Sequence, residues 1–198
     1  MKAIIPVAGI GTRLRPHTHT QPKSLIPVAG KPIIAHIVDS LREIGFKEFI
    51  FIIGYLGDKI EDYISTHYPD QINHFVIQTI RKGTGHAIWL AKDLINDQDP
   101  IFIVFGDTIV DANLKKIIGG DTHSLGVKKV SDPREFGVAQ IDKSGFITQL
   151  VEKPNIPKSN LALVGLYFIK EAGPLLDALD HNIKNNLKTH NEFHLTDA

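Results

Sequence analysis

Four short apolar runs, "KAIIPV" (2–7), "EFIFII" (48–53), "HFVIQTI" (74–80) and "IFIVF" (101–105), mark the first half of the chain. Continuous apolar runs of this length, bounded by turn residues, read as strands buried on both faces. The segments between them change to helical spacing. Ile33, Ile34, Ile37, Val38, Leu41 and Ile44 follow Pro32, which suits a first helical position, and Gly45 offers a stop. Ile60, Tyr63, Ile64 and Tyr68 follow Gly57, and Ala87, Leu90, Ala91, Leu94 and Ile95 follow "GTG" (83–85). Strands alternating with helices predict a mainly parallel sheet covered on both faces.

A short helix is expected over 112–118, with Asp111 as its cap. Beyond residue 120 the pattern shifts to four strand-like runs, "HSLGVKKV", "FGVAQID", "FITQLVEKP" and "LALVGLYFI", separated by turn signals. One more helix is marked by Ala172, Leu175, Leu176 and Leu179. No repeat or linker interrupts the chain, so residues 1–198 are expected to form a single domain.

Several functional classes are excluded by composition. There is no cysteine, hence no disulfide, thiolate nucleophile or zinc–thiolate site. The 22 basic and 22 acidic residues balance, which argues against binding a nucleic-acid backbone. The N-terminal apolar run is too short for a signal peptide, and no run reaches the ~20 residues of a membrane span. A soluble, cytoplasmic protein without membrane or nucleic-acid partners is expected.

The charges are nonetheless unevenly placed. No Asp or Glu precedes Asp39, whereas Lys2, Arg13, Arg15, Lys23 and Lys31 all fall in that stretch. Most of these cations lie in or near a glycine-rich loop directly after the first strand, where open α/β sheets place ligand crevices. Glycines there let successive backbone N–H groups form an anion nest. The position three after Gly11 is Leu14, so the loop is no dinucleotide fingerprint, and no Gly-x-x-x-x-Gly-Lys-Ser/Thr string exists. What remains is Gly-x-Gly-Thr-Arg-Leu-x-Pro followed by Pro22-Lys23.

"GIGTRLRPHTHTQPKSLIPVAGKPII" closely resembles the signature of the sugar-1-phosphate nucleotidyltransferases, or nucleotide-sugar pyrophosphorylases. The resemblance continues through "QTIRKGTGHA", "FGDT", "EFGVAQID", "VEKPNIPKSNLALVGLYF" and "EFHLTDA", and is greatest to the glucose-1-phosphate thymidylyl- and uridylyltransferase branch. It implies a Rossmann-like α/β/α sandwich with a mainly parallel mixed sheet, of the nucleotide-diphospho-sugar transferase type. The implied reaction is Mg²⁺-dependent transfer of a nucleotidyl group from UTP or dTTP to a sugar 1-phosphate.

By the same resemblance, Ala8, Gly9, Gly11, Thr12 and Arg13 contact the nucleotide. Arg13 holds the leaving pyrophosphate, and Lys23 stabilises charge near the α-phosphate. Arg15 is either a secondary contact or a solvated cation. His17 and His19 lack a third ligand and make a poor metal site. Asp107, at the end of an apolar strand, suits Mg²⁺, which prefers oxygen ligands. Gln78, five residues before Gly83, reads the base with it, because an amide suits the N3–H and adjacent carbonyl of uracil or thymine. Trp89 is expected in the core or an interface rather than as a stacking platform. On the sugar side the resemblance assigns Gly137, Glu152, Lys153 and the main chain of Leu163. Glu152 and Lys153 are adjacent in a strand-like run, so their side chains diverge unless a bulge intervenes.

Three departures stand out. The first strand ends Pro6-Val7, as in the uridylyl branch, and Thr108 follows Asp107 where the thymidylyl branch has Asn. The family's second metal-binding Asp comes from a Trp-containing segment beyond "LTDA", whereas this chain stops at Ala198 and its single Trp is Trp89. Truncation is the expected reason. A non-catalytic nucleotide or sugar-phosphate binding module with an incomplete metal site is the rival reading. Homo-oligomerisation is left open.

Overall fold

The first apolar run forms β1 (Lys2–Pro6), an interior strand of the sheet in a computed structural model that describes residues 1–198. The opening loop follows as three short 3-10 turns, then a two-stranded ribbon of β2 (Pro27–Val28) and β3 (Lys31–Pro32) leads into α1 (Ile33–Glu43). Next come β4 (Glu48–Ile53), α2 (Gly57–His67), β5 (Ile72–Ile77), α3 (Thr84–Leu90), β6 (Ile101–Val104) and α4 (Leu114–Ile118). The second half supplies β7 (Ser124–Lys129), β8 (Gly137–Ile141), β9 (Ile147–Glu152), β10 (Leu161–Ile169) and α5 (Gly173–Lys184).

β5, β4, β1 and β6 lie side by side and parallel, as strand–helix alternation requires. Their side chains alternate between two cores. Ala3, Ile5, Phe49, Phe51, Phe102 and Val104 pack towards α1 and α2, while Ile4, Ile50, Ile52, Ile101 and Ile103 pack with Ala87, Ile88 and Leu179 of α3 and α5. The result is the expected Rossmann-like three-layer α/β/α sandwich with a mixed, largely parallel sheet. No helix is long and apolar enough to cross a membrane.

The second half joins the same sheet through β10, which runs antiparallel to β6. β7 follows one edge of β10. The opposite edge is shared: Leu166–Ile169 pair with β6, and Leu161 and Ala162 with β8, which carries β9 outside it. Gly165 stands at this changeover with φ 76, and a Cβ there would lie 2.7 Å from the Phe105 ring. Leu163 and Val164 therefore face the gap that opens between β6 and β8, and the larger of two clefts lies there.

Four boundaries differ from expectation. Pro32 precedes α1 rather than opening it, because it closes β3. The run 74–80 ends as a strand at Ile77; the Gln78 amide still donates to the Ile53 carbonyl (2.8 Å), and the chain then turns away. The helix read over 87–95 starts at Thr84 and gives way after Leu90 to a 3-10 turn at Lys92–Leu94. Asp111 does not cap the short helix. Asn113 does, its side-chain oxygen accepting from the Lys116 amide at 3.2 Å, because the helix begins only at Leu114.

Candidate active site

Three loops at the carboxyl ends of parallel strands build the first cleft, as expected for an open α/β sheet. β1 delivers Ala8 and Gly9, β5 delivers Gln78, and β6 delivers Gly106 and Asp107; Lys23 comes from a 3-10 turn of the opening loop. Together with Gly83 they line a cleft of about 260 Å³. Gly137, Glu152, Lys153 and Leu163 line the second, of about 550 Å³. Asp107, Thr84, Phe105 and Glu192 belong to both walls, so the clefts meet at Asp107.

At this meeting point Lys23 Nζ lies 2.6 Å from Asp107 Oδ2. Thr108 Oγ1 donates to the other carboxylate oxygen at 3.3 Å. Thr18, buried, holds the turn's approach by donating to the Gly11 carbonyl (2.8 Å), and Gly11 packs beside the Lys23 side chain. Gly11, Thr12 and Arg13 themselves line neither cleft. The Arg13 side chain is 87% exposed, its guanidinium 3.8 Å from Glu135 on the rim of the second cleft.

Gln78 is 5% exposed. Its Nε2 donates to the Gly83 carbonyl (3.2 Å) and lies 3.0 Å from His86 Nδ1. Burial, with the nearby positive charge of Lys82, holds the His86 pKa below the ordinary histidine value. Gly83 adopts φ 107, and a Cβ there would collide with the Phe193 backbone. That close approach stitches the C-terminal segment to the turn: Phe193 N donates to Lys82 O (2.7 Å), Gly85 N to Phe193 O (2.8 Å) and Leu195 N to Thr84 Oγ1 (3.1 Å). Trp89 lies between α3 and α5, donating to Asp180 (3.1 Å), in agreement with an interface role.

In the second cleft, Glu152 and Lys153 line one cavity despite their adjacency. Glu152 ends β9, and Lys153 takes a left-handed φ of 40 with its amide donating to Phe136 O (3.0 Å), which breaks the pleat alternation. Such a conformation costs a non-glycine residue about 1–3 kcal/mol and marks sites where side-chain placement matters. Glu152 Oε2 accepts from Thr196 Oγ1 (2.9 Å), and Oε1 lies 3.7 Å from His194 Nδ1. Burial, and then the charge of Glu152, push the Tyr167 phenol above its ordinary range, so it stays protonated.

Sequence reasoning singled out "EFHLTDA" as a segment but chose no residue within it, and it passed over Arg81. Glu192, His194 and Thr196 reach the clefts only because the segment returns across Gly83–Gly85. Main-chain bonds of this kind carry no residue signal. Arg81 lines the first cleft from the same turn.

The sequence profile of the nucleotidyl transferase family matches residues 2–195. The chain is 36% identical over 189 residues to the low-salt glycan biosynthesis nucleotidyltransferase Agl11 of Haloferax volcanii, covering 91% of this chain and 52% of that protein. It is 37% identical over 199 residues to the bifunctional protein GlmU of Methanocaldococcus jannaschii, covering 100% of this chain and 46% of that one. The chain thus spans about half the length of these curated relatives. A crystal structure of UDP-glucose pyrophosphorylase complexed with UDP-glucose superposes with a TM-score of 0.85 at 25% identity, covering 99% of this chain and 84% of that chain. Relatives with such different names do not single out the thymidylyl–uridylyl branch.

Proposed function

The chain belongs to the nucleotidyl transferase family, and on that premise we propose that it transfers a nucleotidyl group from UTP or dTTP to a sugar 1-phosphate. Glucose 1-phosphate is the expected acceptor, and residues 1–198 act as one catalytic domain. The observation that carries this reading is the meeting of two clefts at the Lys23–Asp107 pair. A reaction between two phosphate esters needs two pockets that open onto one point.

The nucleotide occupies the first cleft and the sugar phosphate the second. An oxygen of the sugar phosphate attacks the α-phosphorus, the bond to the β-phosphate oxygen breaks, and its electron pair leaves with pyrophosphate. Both reactants are anions, so catalysis consists mainly of positioning and charge stabilisation. Lys23, which lines the first cleft beside Asp107, stabilises charge at the α-phosphate on this reading. Ala8, Gly9, Gly11 and Thr12 supply the glycine-rich backbone of the nucleotide loop, and Arg13 reaches the departing pyrophosphate from the rim. Gln78 and Gly83 meet the base. Glu152, oriented by Thr196, takes sugar hydroxyls, and Lys153 takes the sugar phosphate, with Gly137 and Leu163 allowing close main-chain approach.

Mg²⁺ fits the donor set at Asp107. Its carboxylate offers hard oxygen ligands, and a cation, the Lys23 ammonium, already rests against it. The chain has no cluster of three or more acidic, His or Cys side chains, so phosphate oxygens and water would complete the shell. Bound there, the metal would neutralise charge on the phosphates.

The test is pyrophosphate release with Mg²⁺, comparing UTP, dTTP, ATP, GTP and CTP with and without glucose 1-phosphate. Release confined to UTP or dTTP and dependent on the sugar phosphate is expected. Nucleotide binding without release under any sugar phosphate would instead favour the binding-module reading.

A further inference from the structure

We propose that His86 is a positioning residue that, together with the Gly83 carbonyl, fixes the Gln78 amide so that the first cleft meets only its carbonyl oxygen, which selects bases carrying an N–H at the paired position. This rests on the reading of that cleft as the nucleotide site. The Gly83 carbonyl can only accept, so the amide nitrogen of Gln78 must face it, 3.2 Å away. The second N–H of that nitrogen points to His86 Nδ1 at 3.0 Å, which must therefore be the unprotonated ring nitrogen. Burial and Lys82 favour the neutral ring that this requires.

Both donors of Gln78 are thus engaged within the protein. Its Oε1 accepts no hydrogen bond from the chain, and it is not among the buried polar atoms left without a partner. It is the one atom of the amide free to meet a ligand, and Gln78 lines the cleft. An acceptor at that place pairs with the N3–H of uracil or thymine and repels the lone pair at N3 of cytosine. A freely turning amide would present either end and discriminate poorly. His86 sharpens the discrimination without touching the base, by adding a second acceptor to the Gly83 carbonyl and so restraining the amide further.

Calorimetric titration of the 198-residue chain with UTP, CTP and 3-methyl-UTP, in the presence of Mg²⁺, tests this. In the unmodified protein UTP should bind at least about tenfold more tightly than either CTP or 3-methyl-UTP, the cost of leaving one buried acceptor unmatched. His86→Leu should reduce the UTP-over-CTP preference to about threefold, because the Gly83 carbonyl alone then holds the Gln78 nitrogen. His86→Asn, whose side-chain oxygen can accept where Nδ1 does, should restore the preference. A His86→Leu protein with the full UTP-over-CTP preference would overturn the role of His86 while leaving the nucleotide site intact. Equal binding of UTP and 3-methyl-UTP by the unmodified chain would overturn the acceptor-only amide, whatever the folding of the variants. Failure of every triphosphate to bind would remove the nucleotide reading itself, and this inference with it.

Discussion

Lys23 and Asp107 stand 84 positions apart in sequence and 2.6 Å apart in space, half-exposed at the junction of the two clefts. An ion pair in that setting contributes at most about 1 kcal/mol to stability. On the proposed reading, its place at the junction of the clefts serves phosphate binding rather than stability. Lys23→Ala should therefore leave the thermal midpoint nearly unchanged while lowering turnover by about 100-fold or more, the scale of losing one charge-stabilising group; steady-state pyrophosphate release and a melting curve on the same sample check it. Near-normal turnover would remove Lys23 from the α-phosphate. The sugar side offers a second residue-level test. Thr196→Val deletes the 2.9 Å donor to Glu152, and KM for glucose 1-phosphate should rise about tenfold with little change in nucleotide affinity. If KM holds, the Glu152 carboxylate is positioned by other contacts. These two residues also show what sequence conveys about a site. Lys23, Gln78, Asp107 and Glu152 lie in motifs whose spacing reflects one loop or one strand end. Thr196 acts through a carboxylate on β9, and no spacing within its own segment encodes that meeting.

The elements were legible wherever burial on two faces dictated them. Apart from Lys2 and Glu48 at their first positions, β1, β4 and β6 are apolar because a parallel strand between helical layers has no wet side. β5 was overextended because it is the sheet edge: Ile77 and Ile80 are 67% and 63% exposed, and apolar character there does not report strand pairing. The cap of α4 was misplaced for a related reason. Asp111 and Asn113 are both good caps, and only the packing of buried Leu114 decides where the helix begins. A turn that sequence marks but cannot explain is Gly83–Gly85, where the C-terminal segment docks. Gly83→Ala would place a Cβ against the Phe193 backbone at a φ of 107 that side chains rarely adopt. A destabilisation of about 3 kcal/mol is expected, lowering the midpoint by roughly 2–4 °C per kcal/mol in a chain of this size. Thermal unfolding followed by fluorescence of Trp89, on the adjoining helix, measures it. An unshifted midpoint would mean that the docked segment is not held through this turn.

At the scale of the whole molecule, one sheet carries two halves of different character. The parallel half ends in the first cleft, the antiparallel half frames the second, and Asp107 follows the last parallel strand where they adjoin. The net charge is +0, so ligand anions are attracted by local placement rather than by an overall field. On the proposed reading this arrangement links the cation to the nucleotide. With both clefts free, the Lys23 ammonium neutralises Asp107, and a divalent ion must displace it. A triphosphate offers Lys23 a stronger anionic partner and at the same moment brings oxygen ligands of its own. Each ligand then tightens the other by the same factor, since coupling between binding sites is reciprocal. Mn²⁺, whose free form is counted by electron paramagnetic resonance, makes this measurable. The unmodified chain should bind Mn²⁺ weakly alone and more tightly with UTP present. In Lys23→Ala the nucleotide-free affinity should rise roughly two- to fivefold, the free energy of one half-exposed ion pair, and the gain from adding UTP should shrink. In Asp107→Ala both the nucleotide-free binding and the UTP-dependent gain should fall. If Lys23→Ala left the nucleotide-free affinity unchanged, the pair would be a surface contact, and the cation would be held elsewhere in the junction.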